Sequence, residues 1–207
     1  MRLAATVATL AVAGFPFAIS AQTTQDTLSL QGRSIIAVGV GLNSTHGASN
    51  TPGGQVATSN GVASLNFTHF TRPSVAFEIS AAVLDASASN TFSNQTASGV
   101  TSLLAGVRYA PEAIALSTTL RPYVSVLVGP YFNNFAKSAG YNGTAMSESV
   151  FGSKLGAGTN WYMSRHLSLQ LEASYDAIGH FEHEDVLSHK PGGFAMTAGF
   201  GVAWGGR

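Results

Sequence analysis

The carboxy-terminal stretch Gly193-Phe-Ala-Met-Thr-Ala-Gly-Phe-Gly-Val-Ala-Trp204 changes character at every residue. Phe194, Met196, Ala198, Phe200, Val202 and Trp204 fall on one face; Ala195, Thr197, Gly199, Gly201 and Ala203 fall on the other. A period of two predicts a strand. One face is continuously bulky and ends in an aromatic residue, while the other carries only small groups. A strand of about 9–11 residues with that polarity suits a wall between lipid and a narrow barrel lumen.

The same alternation recurs along the chain. Arg33 to Asn43 sends Ile36, Val38, Val40 and Leu42 one way, with Arg33, Ile35, Ala37, Gly39 and Gly41 opposite. Val62 to Phe70 sets Ala63, Leu65 and Phe67 against Ser64, Asn66 and Thr68. Val75 to Asp85 sets Phe77, Ile79 and Val83 against Glu78 and Ser80. Further segments are Gly99 to Tyr109, Leu120 to Tyr131, Val150 to Met163 and Leu167 to Tyr175. Long polar loops are expected at Ser44 to Gly61, Ala86 to Ser98, Asn133 to Ser147 and Ala177 to Gly192, where Ser, Thr, Asn, Gly and Pro dominate. They alternate with shorter connections at Thr71 to Ser74, Ala110 to Thr119 and Ser164 to His166. The expected fold is therefore all-β: an eight-stranded antiparallel up-and-down transmembrane β-barrel. An even strand count puts both termini on one side. A soluble lipocalin-like barrel would carry its charges outside and its apolar residues inside. Here the charged strand residues lie with the glycines, opposite the aliphatics.

Composition sharpens this picture. Only 10% of the residues are charged, against about 25% in ordinary soluble domains. Although 45% are hydrophobic, no run of about 18 apolar residues follows the amino terminus, so no conventional membrane helix is expected. The formal net charge is zero and gives no support for nucleic acid as a partner. There is no cysteine, hence no disulfide framework and no thiolate metal site. Met1 to Ala21 reads as a cleaved signal peptide: Arg2 is basic, Leu3 to Ala13 is apolar, and Ala18-Ile-Ser-Ala21 ends in small residues. Residues 22–32 form a periplasmic lead, and residues 33–207 form the barrel domain.

Gly106-Val-Arg-Tyr109, Leu120-Arg-Pro-Tyr123 leading to Val128-Gly129, Leu155-Gly-Ala-Gly158 and Leu171-Glu-Ala-Ser-Tyr175 resemble recurrent strand signatures of the outer-membrane β-barrel superfamily. They are closest to the OmpA-like transmembrane domain. The resemblance implies an outer-membrane location, contact with outer-membrane lipid and lipopolysaccharide, insertion by the barrel-assembly machinery and a monomeric state. No peptidoglycan-binding segment follows, so no cell-wall tether is expected. Gly205-Gly-Arg207 extends past the last aromatic residue, which leaves Phe200, Val202 and Trp204 as a slightly internal assembly signal.

The inward charges are Arg33, Glu78, Arg108, Arg121, Lys154 and Glu172. In so narrow a lumen they are expected to pair as a plug rather than line an open path. Tyr109, Trp161, Tyr175 and Trp204 are the expected interface anchors. His180 and His183, beside Glu182, Glu184 and Asp185, have a metal-like spacing, yet a polar external loop explains them equally, and no metal or other cofactor is expected. His166-Leu-Ser168 with Glu172 superficially matches the nucleophile, base and orienter of a lipid A deacylase. His166 is expected at a periplasmic turn, away from outer-leaflet lipid A, so the chain reads as non-enzymatic. The expected role is envelope integrity or surface interaction, including adhesion, through the external loops. The alternatives are a narrow channel for small solutes and a lipid A-modifying enzyme.

Overall fold

The computed structural model describes residues 29–46, 61–91, 94–112, 117, 119–139, 144–179 and 190–206. The signal peptide and residues 22–28 of the lead lie outside the described residues, as do His180, His183 and their acidic neighbours.

The strands run in chain order as β1 (Arg33–His46), β2 (Gly61–Arg72), β3 (Val75–Thr91), β4 (Asn94–Tyr109), β5 (Leu120–Ala139), β6 (Thr144–Tyr162), β7 (Leu167–Ile178) and β8 (Lys190–Gly205). Each pairs antiparallel with its sequence neighbour, and β8 closes on β1 to complete the barrel. Closure leaves no exposed sheet edge, a requirement of any strand-built membrane span. The register of the closing seam runs from Arg33↔Gly205 to Ser44↔Phe194. The first and last described residues and the β2–β3, β4–β5 and β6–β7 connections lie at one end, called here the turn end. The other four connections join the strands at the opposite end, the hairpin end. No helix among the described residues is long and apolar enough to cross a membrane.

The alternation read from the sequence becomes an inverted polarity. Val40 and Leu42 are 70% and 72% exposed, whereas Leu104 and Leu127 inside are 1% and 0% exposed. Burial of apolar groups is the usual driving force for compaction; an exterior this apolar needs hydrocarbon in place of water. Aromatic residues mark its limits. Tyr109, Trp161 and Trp204 stand at the turn end of the exterior, and Tyr175, Phe151 and Phe194 at the hairpin end. Phe194 and Trp204 are ten residues apart on β8, which at about 3.3 Å per residue and a tilt near 40° gives a band roughly 25 Å tall.

Two expected loops are largely strand. β3 and β4 continue to Thr91↔Asn94, and β5 and β6 to Lys137↔Thr144, so most of Ala86 to Ser98 and Asn133 to Ser147 is paired. Beyond the apolar band both faces of a strand meet water. Alternation then disappears from the sequence while backbone pairing persists. Strands β3 to β6 thus project as one continuous sheet from one side of the barrel.

Candidate functional site

The lumen is stratified. At the turn end Leu30, Ile35, Phe70, Ala76, Ala110, Tyr123, Tyr162 and Ala203 form an apolar layer. Towards the hairpin end Val62, Leu84, Val100, Leu104, Leu127, Tyr131 and Ala195 form a second. The strand members of each layer are inward positions, which recur every second residue. Between the layers β3 contributes Glu78 and Ser80, β4 Arg108, β5 Ser125, β6 Lys154, and β7 Gln170 and Glu172, all buried.

These groups form one connected cluster. Arg108 donates from Nε to Glu78 Oε2 and from Nη2 to Glu78 Oε1, each at 2.7 Å. That is the side-on, two-bond arrangement in which a planar guanidinium matches a carboxylate. The same guanidinium lies 3.8 Å from Glu172 Oε2, and its Cζ stands 3.8 Å from the Tyr123 ring centroid. Lys154 Nζ approaches Glu172 Oε1 at 2.6 Å. Tyr123 donates its hydroxyl to Glu172 Oε2 at 2.7 Å. Gln170 Nε2 donates to Tyr123 Oη at 2.7 Å and to Glu172 Oε2 at 3.2 Å. Isolated charges this deep would each cost several kcal/mol, on the order of the desolvation penalty for a buried ion. Here both oxygens of both carboxylates are engaged, which offsets much of that cost.

The small inward residues of β6 make the cluster possible. A Cβ on Gly158 would collide with the Leu171 carbonyl and sit 2.7 Å from Tyr123 Oη. One on Gly156 would sit 2.6 Å from Ser125 Oγ and 3.4 Å from Glu172 Cδ. Nearer the hairpin end, Tyr131 donates to Asp176 Oδ1 at 2.7 Å, and Gly152 leaves room for the Tyr131 ring.

Glu78, Arg108, Lys154 and Glu172 are thus brought together. Arg33 and Arg121 are buried nearer the turn end, preceding Ile35 and Tyr123 on their strands. Arg33 Cζ stands 5.4 Å from the Tyr162 ring centroid. The sequence reading overlooked Tyr123, Gln170, Tyr131 and Asp176. Asp176 continues the inward series Ser168, Gln170, Glu172 and Ser174, but β7 was expected to stop at Tyr175 and runs to Ile178. Tyr123 and Gln170 are uncharged, and the count of inward charges passed over them.

The deacylase-like arrangement is not assembled. His166 is exposed in the β6–β7 turn. Ser168 is 1% exposed inside the lumen, with Oγ 3.5 Å from the Gly201 carbonyl oxygen. Glu172 is engaged by Lys154, Tyr123 and Gln170 instead. Among the described residues no group of three or more metal-ligating side chains comes together.

A closed wall of eight antiparallel strands, apolar outside and filled inside, defines a small transmembrane β-barrel of the OmpA-like fold. Solved structures of the same architecture include Ail, the attachment invasion locus protein of Yersinia pestis, at 12% identity and a TM-score of 0.55, covering 84% of this chain and 99% of that one. The Neisserial surface protein A, NspA, matches at 13% identity and a TM-score of 0.55, over 84% of this chain and 96% of that one. A major outer membrane protein of Thermus thermophilus matches at 12% identity and a TM-score of 0.55, over 83% of this chain and 99% of that one. At such identities the likeness is one of fold. No family model matches the chain, and no curated protein matches it by sequence.

Proposed function

We propose that this chain is an exported, monomeric outer-membrane barrel with a structural, envelope-supporting role and a surface for interaction at its hairpin end. The signal peptide of residues 1–21 is removed on export. The barrel-assembly machinery then inserts the chain among phospholipid and lipopolysaccharide. The turn end faces the periplasm and the β3–β6 projection faces outward. One observation carries the reading: the polar cluster around Arg108 and Glu172 is sealed between two apolar layers, so the interior serves as a scaffold that holds strand register. Conduction would require displacing both layers and breaking the ion pairs between them.

The fold neighbours lend the surface role some support, since the name of one describes attachment and invasion. That protein has also been crystallised with the heparin analogue sucrose octasulfate. A polyanion is a poor candidate for this chain. Beyond the apolar band the β3–β6 strands carry Asp85, Lys137 and Glu148 as their charged residues, amid Ser, Thr, Asn and Ala. Uncharged donors and acceptors of that kind suit a neutral, hydrogen-bonding partner.

The test is complementation of a deletion strain with the full barrel or with a variant in which residues 87–98 are replaced by a two-residue turn. Loss of detergent resistance on deletion, restored by both forms, assigns the envelope role to the barrel body. Loss of surface binding in the truncated form alone assigns that activity to the projection. A deletion strain indistinguishable from its parent in envelope integrity and surface binding would contradict the proposal.

A further inference from the structure

The lumen contains two buried arginines that present the same edge of the guanidinium to different surroundings. Arg108 turns Nε and Nη2 onto the two oxygens of Glu78, a side-on pair at 2.7 Å per bond. Arg33, 4% exposed, has Nε and Nη2 as its buried donors without a hydrogen-bond partner. Among the described residues no carboxylate pairs with Arg33. The groups that act on it electrostatically are the Tyr162 ring, 5.4 Å from its Cζ, and Arg165, a like charge in the β6–β7 turn. Arg33 precedes Ile35 on β1, towards the turn end, beside Tyr162, Phe70 and Leu30 of the apolar layer there, and Glu78 and Glu172 lie deeper in the lumen. The acids of the central cluster are engaged there with Arg108 and Lys154.

A buried guanidinium with a like charge nearby and two donors without a hydrogen-bond partner is incomplete on energetic grounds. Its Nε/Nη2 edge fits planar or tetrahedral oxyanions in two parallel hydrogen bonds and fits little else so well. We propose that Arg33, with Arg165 supplying additional positive field, forms an oxyanion-binding site at the periplasmic mouth, taking a phosphate-class ligand side-on. The backbone before Arg33 is fixed: Leu30 packs into the apolar layer with Tyr162, Gly32 N–H donates to the Phe70 carbonyl at 2.8 Å, and Arg33 N–H donates to the Leu30 carbonyl at 3.0 Å. The ligand is either free phosphate or the phosphate of a periplasmic-leaflet lipid headgroup; both offer the same oxygens to the same edge.

The test uses the full mature chain refolded in zwitterionic detergent. The midpoint of its heat-induced gel shift is followed against inorganic phosphate at ionic strength fixed with sodium chloride. The expected result is a saturable rise on the order of 3 °C at about ten times the half-saturating concentration. Arg33→Gln should abolish it. Arg33→Lys, which keeps the charge but lacks the two-donor edge, should respond without saturating, and serves as the comparison if Arg33→Gln does not refold. Repeating the titration in phosphatidylcholine vesicles with and without phosphatidylglycerol separates the sources. Persistence of the response in both assigns free phosphate; its suppression by phosphatidylglycerol assigns the headgroup. A flat wild-type response in detergent and in both vesicles, or an Arg33→Gln variant that tracks wild type, overturns the site.

Discussion

Glu172 is the residue on which the buried cluster turns, because Lys154, Tyr123, Gln170 and Arg108 all converge on its two oxygens. Glu172→Leu leaves the Lys154 ammonium buried without its nearest counter-charge and is expected to destabilise the barrel by about 3 kcal/mol. Pairing it with Lys154→Met should recover most of that loss, and urea unfolding of the two single variants and the double variant measures the coupling. Gly158→Val drives a side chain against the Leu171 carbonyl and Tyr123. The expected loss is about 1–3 kcal/mol from overpacking, read as a lower midpoint in the same unfolding assay. At this scale the sequence was partly legible. Alternation places Glu78, Arg108, Lys154 and Glu172 inside, because each shares its face with the small residues of its strand. It cannot say which of them meet, since that depends on stagger between strands and on the reach of side chains across the lumen. Tyr123 and Gln170 share those inward faces, but their engagement with Glu172 became visible only with the register in hand.

The strands divide into a portion set by lipid and a portion set by water. Within the apolar band the two faces must differ, and there the boundaries read from sequence follow the structure closely, as at Leu120, Leu167 and Tyr109. Beyond it the demand for alternation ends, and Asn94 to Ser98 pairs as strand while reading as loop. A cut there should therefore spare the barrel. Replacing residues 87–98 with a two-residue turn is expected to leave the heat-induced gel shift intact and the unfolding midpoint within about 0.5 kcal/mol, as for changes away from packed features. Loss of the shifted band would mean that the projection is needed for the barrel to form.

As a whole the molecule inverts the arrangement of a soluble protein. Its aliphatic residues face outward in a band between aromatic rings, and the charges within that band, Glu78, Arg108, Lys154 and Glu172 among them, are enclosed. That inversion was legible from the sequence because it needs only the identity of each face, repeated in every wall segment. The two apolar layers were not, because Leu30 and Tyr162 in one and Val62 and Leu127 in the other are distant in sequence and come together only when the barrel closes. The central claim, a filled and non-conducting interior, is tested most directly by single-channel recording of the refolded wild-type protein in a planar bilayer, beside Arg121→Ala and Lys154→Ala. With folding confirmed by the gel shift, the wild-type trace is expected to remain silent. Steady wild-type openings whose conductance changes with either substitution would contradict it and make the lumen a charge-controlled pore.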